Sequence, residues 1–69
     1  MKLIGIDYGD SKVGLAIGDI ESGVATPYGI IRNLGLNNVI GEIKKICDRE
    51  RISKIIIGIP INPMALESE

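Results

Sequence analysis

Two extended patterns separated by a turn open the chain, where residues 2–19 read KLIGIDYGDSKVGLAIGD. In residues 2–7 the side chains alternate between two faces, as in a strand that is mostly buried on both sides. This segment is predicted to be strand β1. The next segment, residues 9–12 (Gly-Asp-Ser-Lys), has the composition of a hairpin turn, because glycine and aspartate tolerate left-handed backbone and serine bonds to neighbouring backbone.

The second pattern, residues 13–18, is predicted to be strand β2, antiparallel to β1. Its branched or long side chains lie on one face, whereas the other face carries only Gly14, Ala16 and Gly18. Small residues on one face of a strand indicate that another group approaches the backbone closely there.

A third extended stretch, residues 24–32, follows a polar loop and contains Pro27. Proline cannot donate a hydrogen bond to a neighbouring strand, so it fits an edge strand or the first residue of a strand. We therefore expect β3 to span Tyr28 to Arg32 and to complete a set of antiparallel hairpins with β1 and β2.

Residues 36–51 show the three-and-four spacing of one apolar helical stripe, which predicts helix α1 with Asn37 or Asn38 as N-cap. The opposite face carries charges of alternating sign and is predicted to be solvated. The stripe consists of Leu36, Val39, Ile40, Ile43, Ile46 and Cys47.

Residues 55–59 form a continuous apolar run between Lys54 and Pro60, typical of a strand covered on both faces in parallel pairing. This is β4, and a right-handed connection through α1 places it beside β1. The predicted fold class is α/β, with order β1-β2-β3-α1-β4, antiparallel hairpins first and then a strand parallel to β1.

The composition describes one globular domain spanning residues 1–69, with a net charge of -1 that cannot hold a polyanion by overall charge alone. Cys47 is the only cysteine and the chain has no histidine, which excludes an internal disulfide, a Ser-His-Asp triad and a typical zinc site.

No apolar run approaches the ~18 residues of a membrane span. We expect a cytoplasmic protein without membrane contact, and a tail at 61–69 that is flexible or begins a second helix.

Asp7 is the first candidate for chemistry, because it ends an apolar strand beside a turn with free backbone N–H groups. Mg²⁺ is typically held by one or two carboxylates plus phosphate oxygens, and the amides of the Gly9–Ser11 turn together with Lys12 could bind those phosphates. The alternative is that Asp7 only caps the turn. Tyr8 either packs on the sheet or contacts substrate.

Other reactive residue types fit structural roles better. Asp10 is a turn-former and Asp19 a loop residue, while Cys47 lies on the apolar stripe of α1 as a small buried hydrophobe. The Ser11-Lys12 pair is followed by a strand rather than a helix, so a nucleoside triphosphatase phosphate loop is rejected.

Four motifs in this order resemble the RuvX/YqgF family of Holliday junction resolvases. They are Gly-Ile-Asp-Tyr-Gly at 5–9, Lys-Val-Gly-Leu-Ala at 12–16 with Asp19 after it, Ala-Thr-Pro at 25–27, and Ile-Ile-Gly-Ile-Pro at 56–60. That family processes the precursor of 16S ribosomal RNA, has the ribonuclease H-like fold and holds divalent metal with clustered carboxylates.

The resemblance implies that Asp7 is the first metal-binding and catalytic carboxylate, with Mg²⁺ or Mn²⁺ as cofactor. Together with the turn chemistry it makes Tyr8, Gly9, Ser11 and Lys12 the predicted substrate-binding residues. The implied partner is nucleic acid, either RNA or branched DNA.

The resemblance implies that the chain corresponds to the N-terminal half of the family fold, because the family places its other carboxylates beyond the position of Pro60. Where the family usually has an Asp-Gly-Ser/Thr-like turn, residues 62–66 read Asn-Pro-Met-Ala-Leu. We therefore expect this chain to be inactive alone and to form a homodimer through its uncovered apolar surface. Two other interpretations stay open: a phosphate- or nucleotide-binding module of the actin and sugar-kinase type, and a non-catalytic interaction fragment.

Overall fold

A computed structural model of the protein describes residues 1–58 as a four-stranded sheet with one helix. The elements are β1 (Lys2–Tyr8), β2 (Lys12–Asp19), β3 (Val24–Arg32), α1 (Leu36–Glu50) and β4 (Lys54–Gly58). The sheet order is β3-β2-β1-β4, with antiparallel hairpins and β4 parallel to β1. The predicted α/β topology is confirmed. The predicted strand end Ile59 and the tail 61–69 lie outside the described residues.

The core lies between α1 and one face of the sheet. Ile4 and Val13 are fully buried there, and Tyr8, Ile31 and Cys47 are among the partly buried residues packed against it. Alternation along the strands explains this selection, because every second side chain of β1 and β2 points to the helix. The buried core residues are Ile4, Ile6, Val13, Leu15, Val39 and Ile46.

The opposite face of the sheet is uncovered among residues 1–58, and we call it the open face. Asp7 lies on it, with the small residues Gly5, Gly14 and Ala16 around it. The sequence predicted that another group packs closely on this face, and no group does so within residues 1–58. Instead, these four residues and others of β2 and β3 line a shallow depression of ≈ 370 Å³.

β3 is longer than predicted, because it begins at Val24 and continues through Pro27. It is an edge strand, which is where a proline without a donor is tolerated. Pairing changes register beside the proline, since Ala16 faces Pro27 but Leu15 faces Gly29. Tyr28 is therefore the extra residue of a β-bulge.

The bulge decides which face the end of β3 presents. The register before the bulge would place Ile31 opposite Lys12, but the extra residue places Arg32 there instead. A shift by one residue exchanges the two faces of a strand. As a result Ile31 packs against the core and Arg32 lies on the open face.

α1 begins at Leu36 as predicted and ends one residue earlier than predicted, at Glu50, but its N-cap differs. Its N-cap is Gly35 and not Asn37 or Asn38. The Oδ1 atom of Asn33 accepts a hydrogen bond of 3.1 Å from the Gly35 N–H, so the asparagine that orders this end lies before the helix. At the other end Arg51 has left-handed backbone (φ 56) and donates its N–H to the carbonyl of Cys47.

Two predicted apolar surfaces are exposed in the described part of the chain. On the stripe of α1, Leu36 and Ile40 are 60% and 53% exposed. β4 pairs only with β1 among residues 1–58, and its side chains are exposed, Ile57 at 65%. The prediction that β4 is covered on both faces is therefore wrong for these residues. The predicted solvated face of α1 is confirmed, with Lys45 and Glu42 3.5 Å apart.

Candidate active site at the ends of β1 and β2

Asp7 stands between two glycines, which leaves its carboxylate accessible. Its pairing partners are Gly14 on β2 and Gly58 on β4. The side chain of Asp7 is exposed, and within residues 1–58 it forms no hydrogen bond or ion pair. A carboxylate held on a rigid strand with both oxygens free is a suitable ligand for a hard cation.

The turn after β1 is closed by its own backbone. The Gly9 N–H donates to the Lys12 carbonyl at 3.0 Å, and a Cβ at Gly9 would lie 2.7 Å from that oxygen. Gly9 is therefore required by close packing and not by left-handed backbone, since positive φ among the glycines of residues 1–58 occurs only at Gly23 and Gly35. The predicted hairpin turn is present, and it forms without left-handed backbone.

Asn33 fixes the turn from the end of β3, a role that the sequence did not reveal. Its backbone N–H donates to the Ser11 carbonyl at 2.9 Å. Its side-chain Nδ2 donates to the Gly9 carbonyl at 2.8 Å. In the described part of the chain the amides of Asp10 and Ser11 donate no hydrogen bond, and both residues are exposed, so these amides are available to a ligand.

The structure divides the predicted substrate-binding residues between two locations. Gly9 and Ser11 belong to the turn beside Asp7, and Lys12 is the exposed first residue of β2 directly after it. Tyr8 is half-buried against the core, on the sheet face opposite Asp7. This placement favours packing for the Tyr8 ring, and its contact with substrate stays a prediction.

Asp19 is at the far end of the sheet and cannot join Asp7 in one site. It pairs with Lys2, about 17 Å along the strands from the Asp7 row. The Glu21 N–H donates to Asp19 Oδ1 at 2.9 Å and lowers the pKa of this carboxyl, and the N-terminal ammonium lowers it further, against a smaller opposing effect of desolvation. Asp19 is thus the last residue of β2 and not a loop residue as predicted, and its carboxylate accepts a hydrogen bond from the loop that follows.

No cluster of three or more Asp, Glu, Cys or His that could hold a metal occurs in residues 1–58. Asp7 offers one carboxylate, and the side-chain-free positions at Gly14 and Gly58 leave room beside it for an ion and its other ligands. These residues fit one coordinating position for a divalent cation that keeps water or phosphate as its remaining ligands.

Cys47 takes no part in this site. Its side chain is half-buried against the core, and desolvation, together with the Asp48 carboxylate, raises the pKa of the thiol. A raised pKa lowers the thiolate fraction on which reactivity depends.

α1, the helix of the described residues, is not long and apolar enough to cross a membrane.

A mixed sheet with a crossover helix and a free carboxylate at a strand end defines an α/β domain of the ribonuclease H-like class. The family RuvX, described as Holliday junction resolvase, matches residues 1–69, and the chain belongs to this family. The sequence resemblance is thereby confirmed.

Curated relatives carry the name "Putative pre-16S rRNA nuclease". The chain is 36% identical over 61 residues to that of Gluconacetobacter diazotrophicus, which covers 88% of the chain and 40% of the relative. It is 37% identical over 62 residues to that of Carboxydothermus hydrogenoformans, covering 90% and 45%. For the relative of Syntrophomonas wolfei the values are 28% over 75 residues, 100% and 53%. The chain therefore spans about half the length of these relatives.

Proposed function

We propose that this chain supplies the first metal-binding carboxylate and a phosphate-binding turn to a metal-dependent nuclease. The observation that carries the proposal is the row Gly14-Asp7-Gly58, in which one free carboxylate stands on a rigid strand with open space on both sides. The alternative role as a turn cap is not observed, because the Asp7 side chain forms no hydrogen bond within residues 1–58.

The proposed substrate is the precursor of 16S ribosomal RNA, in the cytoplasm. This rests on the name of the relatives, since all three described above are called nucleases of that RNA. Branched DNA is the second candidate, and the family description as Holliday junction resolvase favours it. Membership in this family argues against the nucleotide-binding module of the actin and sugar-kinase type.

The residues of the chain divide the proposed work as follows. Asp7 holds the cation, which, when bound, supplies Lewis-acid activation of water and of the leaving oxygen. The free amides of Asp10 and Ser11 donate hydrogen bonds to phosphate oxygens, and Lys12 provides a positive charge beside them. Asn33 holds the turn in place, so these donors are oriented before substrate arrives.

Asp7 alone is not sufficient for two-metal hydrolysis, which needs further carboxylates around the ions. We therefore propose that residues 1–69 by themselves cleave neither RNA nor branched DNA. Activity requires the other carboxylates, which the described residues do not supply.

The test is the variant Asp7→Asn in a complete family member that carries this N-terminal half. Cleavage of precursor RNA and of branched DNA in Mg²⁺ or Mn²⁺ should be lost, with an unchanged circular dichroism spectrum. Asp48→Asn is the matched control and should retain cleavage, because Asp48 is an exposed carboxylate on α1 and not part of the candidate site. Full activity of Asp7→Asn would refute the assignment. Calorimetric binding of ATP to the wild type would instead support the nucleotide-binding interpretation.

We also propose that the isolated chain forms a homodimer. β4 has a free edge among residues 1–58, and an apolar groove of ≈ 310 Å³ lies between it and α1. Ile40, Ile55 and Ile57 line this groove and are each more than half exposed. Burying such side chains contributes about 1.5–3 kcal/mol each, which favours pairing with a second copy.

A further inference from the structure

Lys12 and Arg32 are directly opposite each other on neighbouring strands. Both are exposed, and both lie on the open face, because their positions alternate with those of the core residues Val13 and Ile31. Like charges placed opposite each other on a sheet destabilise it. This pair therefore lowers the stability of the folded chain, which indicates a role other than packing.

The pair has no acidic partner in the described part of the chain. The ion pairs of residues 1–58 involve the N-terminus, Lys2, Lys45 and Arg49, and none involves Lys12 or Arg32. Asp10 lines the same depression without forming an ion pair with either of them. Two adjacent cations without a neutralising carboxylate attract an anion.

Both side chains line a depression of ≈ 470 Å³ at the edge of the sheet, next to the one that contains Asp7. Ile30 lines both depressions, so they are neighbours on either side of this residue. From the strand spacing, the Cα atoms of Lys12 and Arg32 lie about 8 and 12 Å from that of Asp7. At these distances the long side chains of Lys12 and Arg32 can reach the phosphate next to one bound at Asp7.

The position of the pair is fixed by the backbone. The β-bulge at Tyr28 brings Arg32 to the open face, and Asn33, the next residue, donates its N–H to the Ser11 carbonyl, immediately before Lys12. Bulges are common next to active sites, where they re-aim a side chain. The bulge has this effect on Arg32.

We propose that Lys12 and Arg32 form a clamp for one backbone phosphate of the nucleic-acid strand, next to the phosphodiester at Asp7. The clamp deepens the proposed function and rests on it. It is independent of base sequence, because both groups recognise phosphate, Arg32 through its bidentate guanidinium and Lys12 as a point charge. Arg32 is thus a substrate-binding residue that sets where the strand crosses the sheet.

The test measures binding of a fluorescein-labelled single-stranded RNA oligonucleotide to the 69-residue chain by anisotropy, over a range of salt concentrations. Arg32→Gln and Lys12→Gln should each weaken binding on the order of ten-fold at low salt. Each should also lower the slope of log Kd against log salt by about 0.7. Lys44→Gln is the control, because Lys44 is exposed on α1 and involves the same loss of charge.

Thermal unfolding separates binding from a structural role. Because the pair is repulsive, Arg32→Gln should leave Tm unchanged or raise it, and a lower Tm would overturn the proposal. It is also overturned if the wild type does not bind the oligonucleotide, or if both variants bind it as Lys44→Gln does.

ATP is the comparison for free nucleotide phosphate, and tighter binding of ATP than of the oligonucleotide would overturn the assignment to backbone phosphate. Cleavage by the complete protein and its Asp7→Asn variant tests the proposed function separately.

Discussion

At the scale of single residues, close packing requires glycine at one position of the candidate site, Gly9, and not at another, Gly14. A Cβ at Gly9 would meet the Lys12 carbonyl oxygen at 2.7 Å, whereas a Cβ at Gly14 would lie 3.7 Å from the Asp7 Cβ, an ordinary contact. Gly9→Ala should lower the free energy of unfolding by about 1–3 kcal/mol because the turn must open. Gly14→Ala should change it by less than about 0.5 kcal/mol. Urea unfolding checks both, and equal stability of the two variants would contradict this account of the turn.

Asp19 gives the chain a pH-dependent contribution to stability. Its pKa is lowered in the folded state, mainly by the Glu21 amide, so the ionised form stabilises the fold above the ordinary pKa of aspartate. This contribution is lost as the pH falls through that ordinary value, about 3.9, towards the lower folded-state pKa. As the pH falls from neutral through the ordinary pKa of aspartate, the wild type should lose more stability than Asp19→Asn. Identical slopes of stability against pH would contradict this.

At the scale of elements, Arg51 ends α1 in a conformation that suits glycine. Its φ of 56 is the only positive value at a non-glycine position in residues 1–58. Arg51→Gly should raise the free energy of unfolding by up to about 1 kcal/mol, because glycine adopts left-handed backbone without a Cβ penalty. Arg51→Ala removes the same side chain but keeps the Cβ, and is the control in urea unfolding. Arg51→Gly that is no more stable than Arg51→Ala would show that the cap is not strained.

The sequence predicted the elements and their order because each has a local signal: alternation in β1 and β2, a helical stripe in α1, an apolar run in β4. It placed Asp7 at a strand end beside a turn for the same reason. Register has no such signal. The bulge at Tyr28 adds one residue to β3, and only this extra residue moves Arg32 to the face of Asp7.

Two further features depend on contacts between segments distant in sequence. Gly58 flanks Asp7 because β4 pairs in parallel with β1, and the pairing partner of a residue cannot be read from either strand alone. Asn33 bonds to Gly9 across 24 positions of sequence, whereas Asn37 and Asn38 had the local signal of an N-cap. The same Asn33 side chain accepts the Gly35 N–H at the helix start, so the local preference of Asn37 and Asn38 did not decide the cap.

At the scale of the whole molecule, the exposed edge of β4 should govern association. Sedimentation equilibrium of the 69-residue chain at micromolar concentration should give the mass of a dimer. Ile57→Lys should shift it to the monomer, because a charge on an edge strand opposes pairing. Ile20→Lys is the control, since Ile20 is 54% exposed in the loop after β2. A folded wild-type monomer at these concentrations would contradict the proposed dimer.

The central claim is that Asp7 holds a divalent cation on the open face. The most direct measurement is paramagnetic broadening of backbone amide NMR signals of the 69-residue chain by Mn²⁺, which detects even weak binding at one carboxylate. We predict that broadening centres on Asp7 and its pairing partners Gly14 and Gly58, and that Asp7→Asn abolishes it there. Broadening centred elsewhere, for example at Asp19 and Glu21, and unchanged in Asp7→Asn, would contradict the claim.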